Sequence, residues 1–61
     1  MYIIFKGNKI LAFKGYKDGK FVVLDNPHPD FLENVDTPRT YSDREAAEND
    51  VVRYGGTLKK I

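Results

Sequence analysis

Two dipeptides, Gly7-Asn8 and Asp18-Gly19, constrain this chain more than any other feature. Each lies between runs rich in aromatic and β-branched residues: "YIIFK", "KILAFKGYK" and "KFVVLD". Glycine accepts the positive φ that two-residue hairpin turns demand, and Asp-Gly favours the type I′ form. Residues 2–6, 9–17 and 20–25 are therefore expected to form an antiparallel three-stranded meander.

Alternation assigns the faces. Ile3 and Phe5 share one side of the first strand, with Tyr2, Ile4 and Lys6 on the other. In the second strand Leu11 and Phe13 oppose Ile10, Ala12, Lys14 and Tyr16; in the third, Phe21 and Val23 oppose Val22 and Leu24. Both faces of the sheet thus carry apolar side chains, and a single helix covers only one of them.

That helix is expected over residues 43–54. Ser42 with Glu45 three residues later has the form of a capping box. Asp43 and Glu45 place negative charge in the first turn, and Gly55-Gly56 supplies a left-handed stop. Ala46, Ala47, Val51 and Tyr54 form an apolar stripe, with Asp50 inside it and Val52 opposite. "TLKKI" then reads as a last short strand, whose neighbour, strand one or strand three, the sequence leaves open. The fold class is α+β in the order β-β-β-α-β, as one domain over residues 1–61.

The connection "NPHPDFLENVDTPRTY", residues 26–41, is longer than most in small domains. Pro29 can open a helical turn, and Phe31, Leu32 and Val35 would give that turn an apolar side, laid over the second sheet face. Asp25, His28, Asp30, Glu33 and Asp36 are close in sequence, but an EF-hand starting at Asp25 would have Pro27 at its third position and Asp30 where glycine is needed. Zinc ordinarily takes several His or Cys ligands, and the chain has one histidine and no cysteine. No metal or cofactor is expected. Ser42 is absorbed by the cap, and there is no thiol or phosphate-binding loop, so no catalytic residues are assigned.

Composition narrows the rest. No apolar run exceeds five residues, which leaves no candidate membrane helix or signal peptide. With no cysteine, a cytoplasmic setting is expected. A chain of 61 residues that begins with Met1 reads as a complete small gene product, and such products act more by binding than by catalysis.

Net charge is +1 but segregated. Residues 1–20 hold five lysines against Asp18, a balance of +4; residues 21–50 hold eight acids against two arginines, a balance of −6; the remainder returns +3. Two binding surfaces follow. The first is protein docking through an acidic helix and loop, centred on Glu45, Glu48, Asp50 and Val52. This fits an inhibitor or regulator seated on a basic partner such as a nucleic-acid enzyme. The alternative is nucleic-acid binding through Tyr2, Lys6, Lys14, Tyr16 and Lys17, since aromatics among lysines can stack bases and neutralise phosphates. Exposed apolar sheet area also allows a homodimer.

Overall fold

The computed structural model describes all 61 residues as five strands and one helix. The strands are β1 (Tyr2–Lys6), β2 (Lys9–Lys17), β3 (Lys20–Val23), β4 (Asp30–Pro38) and β5 (Thr57–Lys60), and α1 spans Arg44–Tyr54. The α+β class follows, with one helix packed on a sheet.

The two hairpins form where the glycines require them. Gly7 takes a φ of 62° at the first turn, and Asp18 and Gly19 take 52° and 78° at the second, both positive as a type I′ turn needs. The first turn sets Phe5 opposite Ile10 and Lys6 opposite Lys9. The second sets Tyr16 opposite Phe21 and Lys14 opposite Val23. The third strand is shorter than its sequence suggests, although Leu24 N still donates to Phe13 O.

β5 lies beside β1, with Ile4 opposite Leu58 and Ile3 opposite Lys59, which settles the open choice of neighbour. Ile61 N donates to Met1 O beyond the end of the strand. The path of the sheet is β3-β2-β1-β5, with β4 paired to β2 outside it.

β4 is the largest departure from expectation. Residues 30–38 form a strand, not a helical turn. Pairing with the distant β2 makes it a strand, but an irregular one: Asn34 sits at a φ of 45°, and the register against β2 shifts repeatedly. A left-handed residue inside a strand breaks the period-two alternation, as bulges do. Phe31, Leu32 and Val35 therefore have a spacing that looks helical in one dimension. Gly15 admits this strand to close range. A Cβ at that position would meet Leu32 Cβ at 3.0 Å, Glu33 O at 3.1 Å and Val35 Cα at 3.2 Å.

The helix also starts differently from its sequence signature. Asp43, not Ser42, is the N-cap; its carboxylate accepts from Glu45 N at 3.1 Å. Ser42 is exposed, beside the isolated bridge between Tyr2 and Tyr41. That bridge takes up the backbone just before the helix, so the cap falls one residue later. At the other end Gly55, with a φ of 85°, donates its N–H to Val51 O.

α1 packs on β1 and β5. Ala47 is fully buried, so the helix backbone can approach the sheet closely, whereas Ala46 of the expected stripe is exposed. The core consists of Ile4, Leu11, Tyr41 and Ala47, flanked by Tyr2, Phe31, Val51, Tyr54 and Leu58. Only 10 of the 61 residues are buried, so each core side chain carries a large share of the stability. Burying one Ile or Leu contributes about 1.5–3 kcal/mol.

Candidate functional site

The register sorts the side chains into two sheet faces. Ile4, Leu11 and Leu58 lie beneath the helix. Because Phe5 faces Ile10, the odd residues of β1 share the opposite face with the even residues of β2. The β3 pairings and the Ile3–Lys59 pairing extend this outer face. It contains Ile3, Phe5, Ile10, Lys14, Tyr16, Phe21, Val23 and Lys59; β1, β2, β3 and β5 bring no carboxylate to it, and β4 sets Glu33 opposite Tyr16.

Two features stand on it. At one end Tyr16 and Phe21 pair edge to face with centroids 5.5 Å apart, and remain 42 % and 52 % exposed. Val23, opposite Lys14, is 63 % exposed. At the other end Ile3, Phe5 and Ile10 with Gly7, Asn8, Lys9 and Lys59 line an open hollow of about 310 Å³. Lys9, Lys14, Lys20 and Lys59 take part in no ion pair.

The nucleic-acid set expected from sequence is divided. Lys14 and Tyr16 are neighbours on the outer face. Tyr2 is half-buried on the helix side, packed against the core, and Lys6 lies 4.6 Å over the Phe31 ring. Lys17 is bound to Asp30 at 2.5 Å. The Lys17 hydrogen bond holds the Asp30 carboxyl below its ordinary value against a smaller effect of burial, helped by the Phe31 N–H at 2.7 Å. The same bond raises the Lys17 ammonium.

The acidic set is also divided. Glu45 is exposed in the first turn of α1. Glu48 accepts from Arg44 at 2.7 Å, which raises the Arg44 guanidinium. Val52 is 88 % exposed. Asp50, however, is buried at 8 % exposure and faces inward. Its Oδ2 accepts from Tyr41 Oη at 2.5 Å and from Arg39 Nε at 3.1 Å, and Arg39 Nε also donates to Tyr41 Oη at 2.7 Å. Burial, then the Asp50 hydrogen bond, pushes the Tyr41 phenol up to about 12. Burial alone would lower the Arg39 guanidinium, but Tyr41 and Asp50 raise it on balance. Asp50 is thus a clasp between α1 and the segment before it, and α1 carries no continuous acidic face: Arg44 and Arg53 offset Glu45 and Glu48.

The residues that sequence reasoning did not assign to a site are Phe21, Val23 and the hollow's Ile3, Phe5, Ile10 and Lys59. The signal for them was present: the Gly7-Asn8 turn fixes which parities of β1 and β2 share a face. His28 is exposed in the turn before β4, and no three His, Asp or Glu side chains come together to hold a metal ion. No helix is long and apolar enough to cross a membrane.

Comparison with known proteins gives no match: no family model fits the sequence, and no curated protein or solved structure is significantly similar to it.

Proposed function

We propose that this chain is a non-enzymatic protein-interaction module that acts by occupying a partner's surface, as an inhibitor or regulator would. Its docking surface is the outer face of the sheet, not the helix. The observation that carries this reading is an exposed apolar cluster, Tyr16, Phe21 and Val23, beside Lys14. Aromatic side chains with a polar or charged rim are the usual composition of binding surfaces. The helix supports docking less well, because Asp50 is internal and Glu48 is paired.

Nucleic acid is a second reading, favoured by the Tyr16–Phe21 ring pair next to Lys14, which offers one stacking site with one cation. Protein ranks ahead because Tyr2, Lys6 and Lys17 are engaged elsewhere, which leaves few cations around the rings.

The test is site-specific photocrosslinking in cells of the source organism, with a benzophenone amino acid at Phe21 and, as a control on the helix, at Val52. A nuclease-resistant protein adduct from position 21 and none from position 52 is expected. An adduct from position 52 alone restores the helix as the docking surface. A nuclease-sensitive adduct at position 21 transfers the site to nucleic acid, and no adduct at either position refutes the module.

A further inference from the structure

We infer that the hollow between β1, β2 and β5 seats an apolar side chain of an acidic peptide segment of the partner protein. This rests on the protein-docking reading of the sheet face and names the chemistry of what docks there. The floor is Ile3, Phe5 and Ile10, all apolar and held by strand pairing. The wall is the Gly7-Asn8 turn, with Lys9 at its end and Lys59 on the β5 side. At about 310 Å³ the hollow lies at the small end of ligand sites, large enough for one aromatic or branched aliphatic side chain. It is open on one side, which suits an anchor on a longer segment better than an enclosed small molecule.

Charge decides the flanks of that anchor. Lys9 and Lys59 form no ion pair, although Lys9 lies within electrostatic reach of the Asp30 carboxylate, and Lys14 continues the positive field of the outer face toward β3. No acid lines the hollow: Asp30 holds Lys17, Glu48 holds Arg44, Asp50 is internal, and Glu33 of β4 stands opposite Tyr16 at the other end of the face. A segment with an apolar residue between carboxylates would therefore meet an apolar floor and free ammonium groups together, while a basic segment would be repelled.

The experiment is amide-resolved NMR of the full chain titrated with a blocked peptide carrying Phe between pairs of Glu. One control peptide has Ala for Phe, and another has Lys for Glu. The amides of Phe5, Ile10 and Lys59 are expected to move with the acidic Phe peptide, saturating in the roughly millimolar range for so short a probe. Binding should weaken at least about fivefold with the Ala peptide, since one aromatic ring leaves the apolar floor. The basic peptide should cause no shift. Lys9→Glu with Lys59→Glu should weaken the acidic peptide about tenfold, and Lys59→Gln, which keeps an aliphatic stem, about two- to threefold. The same spectra show whether each variant is folded.

Shifts that ignore the sign of the peptide, that map outside the hollow, or that are absent would overturn the inference. So would an oligothymidylate that moves the same amides at lower concentration, by making nucleic acid the occupant. A protein adduct from position 21 without a response to the acidic peptide refutes the anchor alone. No adduct and no peptide response refute the docking surface as well.

Discussion

Asp50→Ala should be the most damaging single substitution among the charged residues. Asp50 is the only acceptor shared by Tyr41 Oη and Arg39 Nε, and no buried side-chain polar atom in the protein lacks a partner. Alanine removes both bonds and leaves the Arg39 cation, whose side chain is only 28 % exposed, beside Tyr41 without a counter-charge. Breaking a fully buried pair costs about 3–5 kcal/mol, and partial exposure of Arg39 places this one at the lower end, near 3 kcal/mol. A domain of this length holds roughly 3–9 kcal/mol in all. In a small domain each kcal/mol shifts Tm by about 4–8 °C, so a drop of about 12–24 °C is expected.

The assay is urea unfolding followed by circular dichroism, with an unchanged m-value as the check that the native state is intact. Tyr41→Phe removes one bond and keeps the ion pair, and should cost about 1 kcal/mol. Because the two side chains share one hydrogen bond, the losses should not add: the double variant should be more stable than the sum of the singles predicts, by at least about 0.5 kcal/mol. An Asp50→Ala protein within about 0.5 kcal/mol of the parent, the ordinary range for a surface change, would refute the clasp.

Three further outcomes follow from the same geometry. In a phenolate absorbance titration, Tyr41→Phe should remove the component near pH 12, and the protein should lose stability in alkali. The sign is fixed: the folded phenol titrates above its ordinary value of 10.0, so its contribution is complete below about pH 10 and declines as pH rises to about 12. Lys17→Met should return the Asp30 carboxyl toward 3.8 in a carboxylate NMR titration. Asp30 is held low in the folded protein, so its stabilisation is present above that pH and fades as pH falls through the folded value; Lys17→Met should reduce this acid-side loss. Gly15→Ala should destabilise by about 1–3 kcal/mol, because two of its three close neighbours are β4 backbone atoms that cannot rotate away; a parent-like midpoint in urea would refute the close approach of β4.

The elements legible in the sequence were those whose signals are local. Gly7 and the Asp18-Gly19 pair force positive φ, and with two-residue turns the register of β1, β2 and β3 follows. Gly55 stops α1 for the same reason. β4 was not legible because its partner contact depends on a distant glycine and its alternation is reset at Asn34. Ser42 carried a sound capping signature, but Asp43 has an equally good one, and the long-range Tyr2–Tyr41 bridge selects between them. The choice of β1 as neighbour for β5 is long-range in the same way.

The charge pattern shows how a linear tally misdirects the search for a site. Eight acids in residues 21–50 suggest an acidic surface, yet a carboxylate counts toward a docking field only if it is outside and unpaired. Asp50 is inside, and Asp30 and Glu48 are neutralised by Lys17 and Arg44, which leaves Asp25, Glu33, Asp36, Asp43 and Glu45 outside any ion pair. Six lysines of the opposite sign, Lys6, Lys9, Lys14, Lys20, Lys59 and Lys60, take part in no ion pair. Lys14 and Lys59 share their face with Ile3, Phe5, Ile10, Tyr16, Phe21 and Val23, and Lys9 borders the hollow. Asp50 itself fell in the apolar stripe of the helix, and that position marks it as an internal partner. An acid at a core position must find a cation or donor within reach, and Arg39 and Tyr41, eleven and nine residues earlier, supply both.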